Sequence, residues 1–316
     1  MIDRRELLKA AAGGLGAMSF GPLGAFRPAS AQRVSAALSA VPLSDGVTQV
    51  TGAGANVVVL RRPDGLALVD SGAPERSADL AAFIADAFPG APVQALFNTH
   101  WHLANTGGNE TFREAGARIY AHENTKLWMS TEFYVTWQDR TYAPRPEAAL
   151  PTDTFYSHEP QPLRLDFGGR QVEYGHLPEA HTDGDIYVLF PEDNVIVAGG
   201  AAWKGAYPIL DYTTGGWIGG MADATRKLID LADAGTRIVP ESGPALMRAD
   251  LEAQHEMLET VHERVADLMR KGKSAREMLE DGVTRDFDAR WGNNPRQFVS
   301  NVYDGMWWGG RLGGAL

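Results

Sequence analysis

The sequence predicts an α/β protein in which two β-sheets pack as a sandwich, helices cover the outer faces, and a helical extension follows at the C-terminus. Three observations lead there. Short β-rich runs separated by turn residues recur in two halves between Val47 and Val239, each half carries a helical stretch, and beyond Pro244 the pattern becomes helical throughout.

The elements follow in order. Asn56 to Arg61 and Leu66 to Asp70 flank Pro63-Asp64-Gly65 and read as a hairpin. Apolar residues at helical spacing predict a helix over Glu75 to Phe88, stopped by Pro89-Gly90, and the strand Val93 to Phe97 then runs directly into His100 and His102. In the second half a hairpin turns at Gly168-Gly169, a loop carries His181, and another hairpin turns at Pro191 to Asn194. A helix over Met221 to Ala232 and a strand over Thr236 to Val239 close it. Between the halves, residues 131–154 read as a loop rich in aromatics and proline, either a pocket lid or a poorly ordered insertion. Past Pro244, Leu251, Met257, Leu258, Val261, Val265 and Leu268 share a helix face. The tail through Phe298, Val302, Trp307 and Trp308 is expected to pack on the core, the two tryptophans pinning it. Residues 249–316 therefore read as an extension of the main domain, 32–248, rather than a separate domain.

Composition narrows the function classes. With 316 residues the chain can bury a full core. Residues 1–31 have the form of a twin-arginine export signal: Arg4-Arg5, a weakly apolar stretch from Ala10 to Leu23, and Ala29-Ser30-Ala31 as a small-residue cleavage site. That stretch is Gly-rich and short of the ~20 apolar residues that span a bilayer. The expectation is a periplasmic protein with no stable membrane anchor after cleavage. The chain contains no cysteine, which removes disulfides, thiolate nucleophiles and Cys-ligated metals and leaves His and oxygen as metal ligands. The net charge of −11 disfavours nucleic acid and anionic membranes as partners and leaves a small-molecule substrate as the expected one.

The chemistry concentrates in Thr99-His100-Trp101-His102-Leu103-Ala104-Asn105. Residues two apart at a strand end point the same way, so His100 and His102 can clamp one ion, which needs a third ligand from elsewhere in the chain. This run resembles the His-x-His-x-Asp-His signature of the metallo-β-lactamase superfamily. Val69-Asp70-Ser71-Gly72 is similar to the family's Val-Asp-Thr/Ser-Gly, and Ile238-Val239-Pro240-Glu241-Ser242-Gly243-Pro244 to its Val-Pro-Gly-His-Gly-Pro. The resemblance covers about residues 45–248 and implies a metallo-β-lactamase-like αββα sandwich. It also implies that His100, His102 and His181 hold the first metal, whereas the second-metal positions carry Ala104, Asn105, Gly200 and Ser242, none a good ligand. All the losses fall on one metal and none on the other. Single-iron oxygenases of this fold resemble a two-His, one-carboxylate site, and Gly200 removes that carboxylate.

Three neutral histidines with an open position form a catalytic zinc arrangement in which bound water has a pKa of about 7, so hydroxide attack on a carbonyl stays feasible. The expected function is a periplasmic hydrolase with one Zn2+, or another divalent metal, that cleaves an ester, lactone or lactam amide. The carboxylate missing at Ala104 normally takes a proton, worth ~10²–10⁴ in rate. Asn105 either donates to a developing oxyanion or fills the vacated space. Asp70 either orients a ligand imidazole or the motif loop, or caps hairpin amides. Trp101, Trp128, Trp137 and Trp203 are candidate walls of an apolar pocket, with core packing as the alternative. His122 and His176 read as structural, and His158, His255 and His262 as surface or helix-face residues. The competing function is a non-catalytic small-molecule-binding or accessory protein on a degenerate metallo-hydrolase fold.

Overall fold

A computed structural model describes residues 37–158, 162–292 and 295–312, so the export signal expected at 1–31 lies outside the described residues. The first sheet has seven strands in the order β1-β2-β3-β4-β5-β6-β9: β1 (Ser39–Pro42), β2 (Val47–Ala53), β3 (Ala55–Arg62), β4 (Gly65–Val69), β5 (Val93–Phe97), β6 (Arg118–His122) and β9 (Asp153–Phe155). The second has five in chain order: β10 (Leu163–Phe167), β11 (Arg170–His176), β12 (Ile186–Phe190), β13 (Val195–Gly199) and β14 (Arg237–Pro240). The expected hairpin is β3-β4, with Arg62 opposite Gly65. Gly65 is required there: its φ is +153°, and a Cβ would lie 2.6 Å from the Pro92 carbonyl oxygen.

Period-two alternation explains the layering. On β3, Val58 and Leu60 face the other sheet while Val57 and Val59 face outward; on β13, Val195 and Val197 face inward while Ile196 and Ala198 face outward. Both faces are buried, which is why these strands read as continuous apolar runs. A one-residue slip would exchange the two faces, and each buried Val or Leu contributes ~1.5–3 kcal/mol, so register is strongly specified. Outside the first sheet, α1 (Ser77–Ala87) packs Leu80 and Ile84 on Leu66, Leu68 and Leu96. Outside the second, α5 (Ile218–Leu231) and α6 (Arg248–Arg270) bury Leu228, Ile229, Leu258 and Val261 against Ile196 and Ile238. The result is the αββα sandwich that the sequence predicts, with C-terminal helices on the outer face of the second sheet.

The short elements are α2 (Leu103–Thr106), α3 (Asn109–Glu114), α4 (Glu123–Ser130), α7 (Ala275–Asp281), α8 (Asp288–Trp291) and α9 (Arg296–Leu312), the last a longer one. Two expectations change. Residues 131–154 are not a loop: β7 (Phe133–Val135) pairs with β8 (Arg140–Tyr142), and the segment ends in β9, which extends the first sheet. Its aromatics form a small core of their own, where Phe133, Trp137 and Tyr142 pack on Trp101, Met129, Val135 and Leu150. Trp307 does not pin the tail. It is 54% exposed, because α9 turns Phe298, Val299 and Val302 inward instead.

β4, β5 and β6 run parallel, as do β13 and β14, and polar residues follow their C-terminal ends: Asp70 after β4, His100 and His102 after β5, and Glu241 after β14. Strand ends of an α/β sandwich are where irregular backbone can present side chains to a ligand.

Candidate metal centre

His100, His102 and His181 converge: one nitrogen from each lies within 4.8 Å of the others. His100 follows β5, His102 precedes α2, and His181 sits in the loop between β11 and β12. The opposite nitrogen of each ring is already bonded, and those partners fix the protons. His181 Nδ1 lies 2.6 Å from the Ile209 carbonyl oxygen, which only accepts, so Nδ1 carries the hydrogen. His102 Nε2 lies 3.0 Å from Asp211 Oδ2 and donates to it. His100 Nδ1 lies 3.0 Å from Thr99 Oγ1, whose own hydrogen goes to Asp70 Oδ2 at 2.7 Å, so Nδ1 is again the donor.

The remaining nitrogens converge on one point. His100 Nε2 is buried with no hydrogen-bond partner, and His102 Nδ1 faces His181 Nε2 at 2.8 Å with no proton assigned between them. Burial, then the neighbouring histidines, holds His100 well below the usual histidine range and lowers His181 to about 3. Three imidazole nitrogens converging on one spot, two of them on rings held below the usual histidine range, are a donor set that suits a divalent cation, and the residues present fit one. Two histidines are buried and His102 is partly exposed, which leaves the cluster accessible on one side.

Each ligand is braced from behind. Asp211 accepts from His102 and, at 2.9 Å, from Trp137 Nε1; these bonds outweigh its burial and keep it below the usual carboxylate range. Asp185 Oδ2 accepts from the backbone N–H of His181 at 2.5 Å and of Thr182 at 2.9 Å, fixing the loop. Asp70 is bonded both to a backbone amide and to side chains of the motif loop. It accepts from Thr99 N at 2.8 Å, Thr99 Oγ1 at 2.7 Å and Asn105 Nδ2 at 2.9 Å, and so orients both the motif loop and, through Thr99, the His100 ring. Burial nevertheless raises its pKa to about 7. Its φ of +62° costs a non-glycine residue ~1–2 kcal/mol, which these bonds offset.

The second-metal positions are filled in ways their residue types explain. Gly200 lies against the His181 ring: a Cβ there would overlap Cδ2 and sit 2.7 Å from Cγ, so the position that carries a carboxylate in relatives is taken by imidazole. Asn105 is fully buried, and its Nδ2 donates to Asp70 and, at 3.1 Å, to Glu241 Oε2. With both hydrogens bonded to carboxylates, the amide has no donor left for an oxyanion. Of the two roles expected for it, filling and bridging the vacated space is the one its bonds match.

The four tryptophans also differ from a simple pocket wall. Trp101 is 1% exposed and donates to Thr214 Oγ1 at 3.1 Å, so it belongs to the core under the motif. Trp128 donates to Asp183 Oδ1 at 2.7 Å, Trp137 to Asp211, and Trp203 to the Gly200 carbonyl at 2.7 Å. Trp137 ties the 131–154 segment to Asp211, the partner of His102, while Trp128 and Trp203 bond the loops that follow β11 and β13. Arg145, from the same segment, donates to the Trp101 carbonyl at 2.6 Å and to Thr106 Oγ1, strapping the motif loop.

His122 and His176 stay out of the cluster. Their rings stack at 3.9 Å, and His122 caps α4 by accepting from Asn124 N at 3.2 Å while its Nε2 meets Ser157 Oγ at 3.0 Å. Burial, then His176, lowers the His122 pKa to about 3. A folded-state pKa below the unfolded ~6.5 means that the unfolded chain binds more protons in between, so stability is complete above pH ~6.5 and is lost as pH falls towards 3. Thermal unfolding followed across that window should show Tm falling on acidification, with a shallower fall in His122→Gln.

Sequence reasoning missed Asp211, Thr99, Glu241 and Arg145. Asp211 and Arg145 lie outside any motif, and their roles arise only when distant loops meet. Glu241 did leave a signal, since it stands where the related segment has glycine.

An αββα sandwich with three convergent histidines at its strand ends defines a class of metallo-hydrolase fold. The metallo-β-lactamase superfamily domain matches residues 50–241, and the chain belongs to that superfamily. Among solved structures it is similar to a metallo-β-lactamase from Pontibacter korlensis, with a TM-score of 0.57 and 19% identity over 71% of this chain and 99% of that one. It is also similar to the stereoselective inverting sec-alkylsulfatase Pisa1 from Pseudomonas sp., with a TM-score of 0.64 and 16% identity over 84% of this chain, which spans 50% of that one. A metallo-β-lactamase from Hirschia baltica gives a TM-score of 0.56 at 17% identity over 71% of this chain and 98% of that one. No curated protein matches the sequence. At these identities the likeness is one of fold.

Proposed function

We propose that this protein is a periplasmic hydrolase that uses one divalent metal, zinc by the chemistry of its donor set, to cleave an ester, lactone or lactam amide of a small molecule. The observation that carries this reading is the convergence of one ring nitrogen each from His100, His102 and His181, with the opposite nitrogens held by Thr99, Asp211 and the Ile209 carbonyl. A divalent ion there would polarise a carbonyl and lower the pKa of bound water to about 7. The chain does the rest. Asp211 orients the His102 ring, Asp70 and Thr99 keep the His100 ring from rotating, and Asp185 fixes the loop of His181. Residues 1–31 supply export, 32–248 the catalytic domain and 249–316 the helical extension, and the acidic surface keeps nucleic acid away. Among the described residues no helix is long and apolar enough to cross a membrane.

The test is turnover of p-nitrophenyl acetate, an aromatic lactone and a chromogenic β-lactam before and after chelation. Hydrolysis of at least one, lost on chelation and restored by zinc, supports the reading. Full activity in metal-free protein would overturn it, and stoichiometric ligand binding unaffected by chelation would favour the non-catalytic alternative.

A further inference from the structure

The motif has alanine where a carboxylate would take a proton, yet acidic side chains surround the histidines. Most are committed. Asp211 holds His102 and Trp137 with both oxygens, Asp185 holds the backbone of His181 and Thr182 and the Thr182 hydroxyl, and Asp70 is fully buried beneath Thr99 and Asn105. Asp183 holds Trp128, on the side of the site that faces the 131–154 segment.

Glu241 is partly exposed and comes from the second sheet. Its backbone is fixed at the end of β14, where its N–H donates to the Ala202 carbonyl at 3.2 Å and its carbonyl accepts from Asn56 N at 2.9 Å. Its side chain reaches across to the motif loop, and Oε2 accepts from Asn105 Nδ2 at 3.1 Å. Asn105 thus joins two carboxylates through one amide nitrogen, and of the two only Glu241 is partly exposed. The Asn105 carbonyl, Oδ1, is buried without a hydrogen-bond partner among the described residues, an acceptor still open within the motif. Glu241 therefore arrives beside residue 105, next in the chain to the lost carboxylate at 104, from the opposite sheet.

We infer that Glu241, positioned by Asn105, is the proton acceptor of this site and replaces the carboxylate lost at Ala104. The inference rests on the hydrolytic reading above. As the oxygen of the attacking water bonds to the carbonyl carbon, one of its protons passes to a Glu241 oxygen. Collapse of the tetrahedral adduct breaks the carbon–oxygen or carbon–nitrogen bond, and the same proton passes to the departing alkoxide or amine, returning Glu241 to its carboxylate form.

Glu241→Gln keeps an oxygen for Asn105 Nδ2 and removes the base. With zinc-loaded protein and p-nitrophenyl acetate, kcat should fall ~10²–10⁴-fold at unchanged KM and unchanged metal content, and the acid limb of the kcat–pH profile should disappear. Asp183→Asn should retain that limb. A readout independent of turnover is the visible spectrum of cobalt-loaded protein against pH, whose midpoint should move to lower pH in Glu241→Gln as a nearby negative charge is removed. A variant with wild-type kcat and limb, or an unmoved cobalt midpoint, overturns the inference while leaving the hydrolytic reading intact. A wild type that takes up cobalt but cleaves none of the ester, the lactone and the β-lactam fails the hydrolytic reading and, with it, this one. A wild type that takes up no metal removes both.

Discussion

His181→Ala is expected to abolish both metal uptake and hydrolysis. His181 supplies the nitrogen that faces His102 at 2.8 Å, and without it two histidines remain, short of the three protein ligands of a catalytic zinc site. Turnover of any ester the wild type cleaves should drop on the order of 10³-fold or more, about 4 kcal/mol of lost transition-state stabilisation. Thermal unfolding separates this from misfolding. Zinc at ~100 times its dissociation constant should stabilise the wild type by ~2.7 kcal/mol and leave the Tm of the variant unchanged. A variant that still binds one zinc tightly would remove His181 from the ligand set.

Gly200→Ala carries the second large effect, from a single methyl group. The added Cβ overlaps the His181 ring, so the ring must leave the Ile209 carbonyl or the β13 end must shift. Overpacking of this kind costs ~1–3 kcal/mol, to be read by urea unfolding of the metal-free protein. Displacing a braced ligand should also weaken zinc binding ~10–100-fold, to be read by calorimetric titration. Gly200→Asp, although it restores the carboxylate that relatives carry, brings the same overlap and should not create a second metal position. Two zinc ions per chain in that variant would show that the His181 ring is not what closes the position.

These effects mark where the sequence is legible and where it is not. The strands carry their own signal: Val57 to Leu60 and Val195 to Ala198 are apolar on both faces because both faces are buried, and turn residues such as Pro63-Asp64-Gly65 punctuate them. His100 and His102 are legible from spacing, because residues two apart at a strand end share a side, and His181 from the resemblance of its segment to the family's. The 131–154 segment was misread as a loop because β7, β8 and β9 are three residues each, too short for periodicity to show, and are stabilised by Trp101 and Met129 from elsewhere in the chain. Asp211 and Glu241 were missed for a related reason. Their meaning depends on contacts over 109 and 136 residues of sequence, with His102 and Asn105, that no local pattern encodes. Asn105 shows the limit most clearly. Its residue type allows an oxyanion donor, and only the placement of two carboxylates beside its Nδ2 shows that the donor is taken.

The central claim is that three ligands survive as a working one-metal site while the second is closed. Elemental analysis of protein equilibrated with excess zinc and then freed of unbound metal tests it most directly. One zinc per wild-type chain and none in His181→Ala is the expected result. Two per chain, or none in the wild type, would contradict it.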